Sequence, residues 1–156
     1  MDKVAKKGLE LNLLQSVLDI NRGQIDELLC LIRRRFASPR DVPVTILGIV
    51  FKPDTDDVRE SPAFPIIRRL KAEGARLTAY DPVARPHGHE DLVGVNVVGS
   101  LPEAVAEAKI VILVTRWPEF SQLAALLNEL HHHPLVVDGR RVLDPQSFSQ
   151  YEGIGR

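Results

Sequence analysis

The aliphatic runs "VTILGIV" (Val44 to Val50), "IVILVT" (Ile110 to Thr115) and "PLVVD" (Pro134 to Asp138) constrain this chain most. A strand with one wet face alternates apolar and polar residues. A strand buried on both faces does not, and burial on both faces is the habit of parallel sheets covered by helices. The segments between the runs read as helices. Strand, helix, strand, helix predicts an α/β fold, a doubly wound parallel sheet of about five strands.

Ahead of the sheet, residues 9–36 predict one long N-terminal helix. Leu11, Leu14, Leu18, Asn21, Ile25, Leu28 and Ile32 recur by threes and fours as a heptad seam. "ASPRDVP" (Ala37 to Pro43) breaks that helix and separates residues 1–38 from a domain at 44–156. A helix set apart in this way is expected to pack on another domain or a second subunit rather than only on its own sheet. Ser61 caps the next helix, with Pro62 and Pro65 in its first turn and Gly74 at its end. "ARLTAY" (Ala75 to Tyr80) and "GVNVVG" are the second and third strands. Ser100 and Glu103 form a capping box, and "PEFSQLAALLNEL" is the last long helix. The tail "DPQSFSQYEGIGR" is turn-rich, with one short helix expected around Gln146.

The 20 basic and 21 acidic residues leave a formal charge of -1, so no overall attraction to nucleic acid or to a membrane surface is expected. Anion binding must come from local placement of Lys and Arg. No apolar run reaches ~18 residues, so no membrane span is expected. Cys30 is the only cysteine, which rules out an intrachain disulfide and fits a cytoplasmic location. It is expected to be a helix-packing residue, not a nucleophile. No metal site is expected. The aspartates of "DTDD" (Asp54, Asp56, Asp57) suit a helix N-terminus better than a metal, and His131, His132 and His133 suit a solvated loop.

In doubly wound sheets, ligands sit outside the carboxyl ends of the strands. That edge should gather Phe51 and Lys52, then Tyr80 and Asp81, then Thr115, Arg116 and Trp117, then Asp138, Gly139, Arg140 and Arg141. Cations beside aromatic surfaces suit a nucleotide carrying a diphosphate. Plainer readings stand beside this one: Lys52 as a solvated loop lysine, Asp138 as a turn or cap residue. The first strand-to-helix turn reads G-I-V-F-K-P. It is Rossmann-like in position yet lacks G-x-G-x-x-G, so side chains would have to replace the backbone phosphate cradle.

"LGIVFKPDTDDVRESPA" resembles the segment that opens the C-terminal, nucleotide-sugar-binding domain of the UDP-glucose/GDP-mannose dehydrogenase family. "GARLTAYDP", "VILVTRWPEF", "VVDGRRVLDP" and "YEGIGR" follow in that family's order. "LLQSVLDINRGQ" is similar to the end of its central helix, with Asn21 and Gln24 in the expected places. The resemblance implies an enzyme that oxidises the C6 alcohol of a nucleotide sugar, UDP-glucose first among candidates, to a carboxylate with two NAD. It also implies a role in polysaccharide biosynthesis.

In that family a separate N-terminal domain binds NAD, and a catalytic cysteine lies in the middle segment. Cys30 does not stand in that setting, so no catalytic residue is expected in this chain. Phe51, Lys52 and Arg140 match the residues that contact the nucleotide sugar, and Arg59 matches the arginine that approaches NAD. Asp56 and Asp57 are expected to organise the loop around Lys52 and Arg59. Tyr80, Asp81, Thr115 and Trp117 are further candidates; Tyr80 and Asp81 could equally turn the chain. Arg116 stands where the family commonly has Glu. The resemblance also implies a homodimer paired through the N-terminal helix. The alternative is a stand-alone Rossmann-like nucleotide-binding or scaffold module, dimerising through the same helix without catalysis.

Overall fold

The computed structural model describes residues 23–53, 55–59, 61–84 and 88–154. Six parallel strands run in the order β3-β2-β1-β4-β5-β6: β1 Pro43–Leu47, β2 Arg76–Tyr80, β3 Asn96–Val97, β4 Ile110–Leu113, β5 Leu135–Asp138 and β6 Tyr151–Gly153. This is the strand order of a Rossmann-type doubly wound sheet. The helices are α1 (residues 23–35), α2 Ala63–Ala72, α3 Leu101–Val105 and α4 Leu123–Glu129.

Alternate residues of each central strand feed two cores. Val44 and Ile46 of β1, Ile110 and Ile112 of β4, and Leu135 and Val137 of β5 pack against α1 and α2. Leu47, Val111, Leu113 and Val136 pack against α3 and α4. Both faces are dry, which is why the runs contain no polar alternation. The exception is Thr45, 1% exposed, whose Oγ1 donates to Ala104 O at 2.6 Å. A buried hydroxyl needs such a partner.

Local signals act as the sequence indicates, with some shifts. Gly74 has φ +83° and ends α2: its amide donates to Lys71 O and that of Ala75 to Leu70 O. Those two bonds form the Schellman pattern that glycine permits. Ser61 Oγ accepts from Ala63 N at 3.2 Å, although the helix proper begins one residue later than Pro62. Ser100 Oγ accepts from Glu103 N, while Glu103 Oε2 reaches back to Gly99 N rather than to the cap itself. The segment after Trp117 begins as a 3₁₀ turn, Pro118–Gln122, before α4.

Two expectations need correction, the number of strands and the burial of Cys30. The sheet has a sixth strand: Val136, Val137 and Asp138 of β5 pair with Tyr151, Glu152 and Gly153. The short helix expected around Gln146 is a 3₁₀ helix, Pro145–Ser147. Leu28, Leu29, Leu31 and Ile32 bury the described part of the first helix on its own sheet; the seam positions Leu11, Leu14, Leu18 and Asn21 lie outside the described residues. Cys30 is exposed, because it lies off the face carrying Leu28, Leu29 and Ile32. No described helix is long and apolar enough to cross a membrane.

Candidate functional site: a cationic cleft at the strand ends

Because every strand is parallel, the carboxyl ends share one edge. β1 and β4 are neighbours there, and chain connections leave them in opposite directions along the sheet. The crevice between them is the switch point where ligands bind in this architecture.

The turn after β1 is shaped by Gly48, which has φ +93°. A Cβ at Gly48 would lie 2.5 Å from Thr115 Cβ, so Thr115 fills the space directly beside this turn. Thr115 Oγ1 also donates to Val50 O at 2.7 Å. A pyrophosphate needs an open backbone cradle at this turn. The cradle is occupied, so the residues here do not fit a dinucleotide held in the usual way.

Asp81, at the end of β2, is 1% exposed. Its Oδ2 accepts from Ile49 N at 2.8 Å, Val50 N at 3.2 Å and Trp117 Nε1 at 3.2 Å. Its Oδ1 accepts from Val83 N and Ala84 N at 3.0 and 2.9 Å. Tyr80 Oη donates to Glu119 at 2.9 Å. Tyr80 and Asp81 therefore turn the chain and tie loops together; neither lines the cleft.

Asp138, at the end of β5, is fully buried. Its Oδ1 accepts from Arg140 N at 2.8 Å. Its Oδ2 accepts from Val142 N and Leu143 N, each at 2.9 Å, and from Tyr151 Oη at 3.1 Å. It is a loop cap, the plainer of its two readings. Arg140 Nε donates to Val114 O, which fixes the guanidinium stem against the end of β4.

These frames present a cleft of about 720 Å³, lined by Phe51, Lys52, Thr115, Arg116, Trp117 and Arg140, among others. Lys52 and Arg140 are 88 residues apart (140 − 52) and line this common hollow. Among the described residues, three of those lining the cleft are cationic and none is acidic. Phe51 is 46% exposed, a high value for a large aromatic, whereas Trp117 is 8% exposed. Pro53, Pro118, Ser121, Val142 and Leu143 also line the cleft and carry no charge that would mark them in the sequence.

A second hollow of about 800 Å³ adjoins it and shares Phe51 and Arg140. Arg59 and Gln24 line this second hollow and are absent from the lining of the first. Asp57 holds Arg59 through its side chain, at 3.0 Å to Nε and 2.9 Å to Nη2, and accepts the Arg59 amide at 2.9 Å. The Arg59 side-chain bonds, then its amide, hold the Asp57 carboxyl at about 2, below its usual 3.8. Asp57 O also accepts the Phe51 amide at 2.9 Å, closing the loop. Asp57 is thus a loop organiser; Asp56 is exposed, and among the described residues no such bond is seen for it. Among the described residues, no group of three or more His, Cys, Asp or Glu could hold a metal ion. His132 Nε2 contacts Ala108 O, so that histidine is tied to the fold rather than wholly solvated.

Residues 45–145 match the model for the UDP binding domain of the UDP-glucose/GDP-mannose dehydrogenase family. The chain belongs to this family. It is 35% identical over 148 residues to UDP-glucose 6-dehydrogenase AglM of Haloferax volcanii, covering 95% of this chain and 34% of that protein. UDP-glucose 6-dehydrogenase YwqF of Bacillus subtilis is also 35% identical, over 153 residues, covering 94% of this chain and 35% of that protein. The fold matches a UDP-glucose dehydrogenase from Pyrobaculum islandicum with a TM-score of 0.79 and 31% identity, over 96% of this chain and 33% of that one. This member of the UDP-glucose/GDP-mannose dehydrogenase family therefore spans about a third of the length of the curated relatives it matches.

Proposed function

We propose that the chain is the nucleotide-sugar-binding, C-terminal domain of an NAD-dependent UDP-glucose 6-dehydrogenase, which converts UDP-glucose to UDP-glucuronate for polysaccharide biosynthesis. The observation that carries this reading is the convergence of Lys52 and Arg140 on one cleft beside Phe51. Lys52 neutralises the diphosphate as a mobile point charge, and Arg140 does so as a planar fork whose stem is already fixed. Phe51 and the edge of Trp117 supply apolar surface for the base or sugar.

Arg59 lies on the adjoining hollow, and its role is to face NAD held by a separate domain. NAD supplies the hydride acceptor there; this chain contributes the arginine and the bound sugar nucleotide. The enzyme works in the cytoplasm as a homodimer paired through its N-terminal helix. The heptad seam of that helix supports the pairing, although the described part also docks on its own sheet.

Calorimetric titration with UDP-glucose and UDP tests the reading. A charge-assisted hydrogen bond contributes about 1.5–3 kcal/mol, so Lys52→Ala and Arg140→Ala should each weaken binding by roughly tenfold or more. Absence of heat with either nucleotide would overturn the reading in favour of a scaffold module.

A further inference from the structure

Asp81 touches both walls of the cleft without entering it. The amides of Ile49 and Val50 immediately precede Phe51 and Lys52 on one wall, and the indole of Trp117 belongs to the other; all three donate to the same carboxylate oxygen. Asp81 itself is not among the lining residues. β1 ends at Leu47, β2 at Tyr80 and β4 at Leu113, so Ile49, Val50, Val83, Ala84 and Trp117, which all donate to Asp81, lie beyond strand ends. The carboxylate adds nothing to the ladder of the sheet. What it fixes is the relative position of loops.

We propose that Asp81 is the positioning residue of the nucleotide cleft, holding the Phe51–Lys52 wall and the Trp117 wall at one spacing. The proposal rests on the nucleotide reading given above. An ionised carboxylate is acceptor-only and suits five N–H donors. Asparagine does not, because either orientation of its amide turns an NH₂ toward at least two of those donors. Cationic groups must be held close to their productive geometry to bind well, and losing one charge-assisted hydrogen bond to the ligand costs about 1.5–3 kcal/mol, roughly ten- to a hundredfold in affinity.

The test compares wild type, Asp81→Asn and Leu70→Ala. Leu70, on the buried face of α2, packs on the opposite side of the sheet from Trp117, so its truncation lowers stability without touching the loops. UDP affinity, measured by calorimetry where all three proteins are folded, should fall roughly ten- to a hundredfold in Asp81→Asn. It should stay within about twofold of wild type in Leu70→Ala, since stability effects at distant, uncoupled sites are separable. Equal affinity in Asp81→Asn and wild type, or equal losses in the two variants, overturns the proposal.

If Asp81→Asn does not fold, wild type decides. The chain has one tryptophan, so its indole N–H gives one resonance. UDP should shift that resonance and slow hydrogen exchange at the Ile49 and Val50 amides; UDP binding that leaves all three unmoved overturns the proposal. A wild type that takes up no UDP overturns the nucleotide reading itself, and with it the binding role of Asp81. Faster exchange at Ile49 and Val50 in Asp81→Asn would then still identify the residue as the loop anchor.

Discussion

Two aspartates each order a loop that carries an arginine, by opposite means. Asp138 is fully buried and draws three amides and a phenol from the segment after β5 and from β6. Asp57 is partly exposed, and the side-chain hydrogen bonds it accepts come from Arg59, two residues away. The first loop is welded to the sheet and can open only with it. The second is closed by local bonds and can open alone, the property expected of segments that rearrange around ligands. The arginine assigned to the sugar nucleotide stands on the stiff loop, and the arginine assigned to the cofactor stands on the loose one.

The largest expected effect breaks the stiff side of this contrast. Asp138→Ala leaves the Arg140, Val142 and Leu143 amides and the Tyr151 phenol without their acceptor. Each buried unsatisfied donor costs about 1–3 kcal/mol, so the variant should lose at least about 3 kcal/mol in urea unfolding. A loss below about 1 kcal/mol would show that water replaces the carboxylate and that the loop is no stiffer than its counterpart.

Tyr151→Phe removes one of those bonds and should cost about 1 kcal/mol. Burial, then the charge of Asp138 and the hydrogen bond to it, push the Tyr151 phenol from 10.0 up to about 12. The native state thus holds this proton more tightly than the unfolded chain. The associated stabilisation is fully present below pH 10 and is lost as pH rises through about 12. Tyrosinate absorbance should show a step near 12 in wild type whose amplitude falls in Tyr151→Phe.

The smallest effect belongs to the loose loop. Asp57→Asn should leave the unfolding midpoint at neutral pH unchanged while hydrogen exchange at residues 57–59 accelerates. The Asp57 carboxyl is depressed from 3.8 to about 2, so whatever order it gives the loop is present above 3.8 and is lost as pH falls through about 2. An equally protected loop in the variant would mean that the Arg59 pairing is incidental, as many exposed ion pairs are.

Much of the fold and half of the site were legible in the sequence. The aliphatic runs require burial on both faces; parallel strands then put their carboxyl ends together, and Phe51, Lys52 and Arg140 meet as a consequence. Gly74 and Ser100 act where their local chemistry places them. β6 was not legible, because Tyr-Glu-Gly has no strand pattern of its own and pairs only where β5 offers an open edge. The weight carried by Asp81 was not legible either. Two of its donors, Val83 and Ala84, are local and read as a turn, whereas Ile49, Val50 and Trp117 lie more than 30 residues away along the chain. Cys30 was misjudged because a helix rich in leucine suggests burial on every side, while only one face meets the sheet.

The threonine wedged beside Gly48 has a wider consequence. Where glycine-rich turns bind anions, the main chain itself is the receptor, and the choice of ligand is cast into the backbone. Here that seat is taken, so in the proposed function recognition falls to long side chains rooted in peripheral loops. Such a receptor can be retuned by a single codon, at Lys52, Arg116 or Arg140, while the architecture beneath stays as it is.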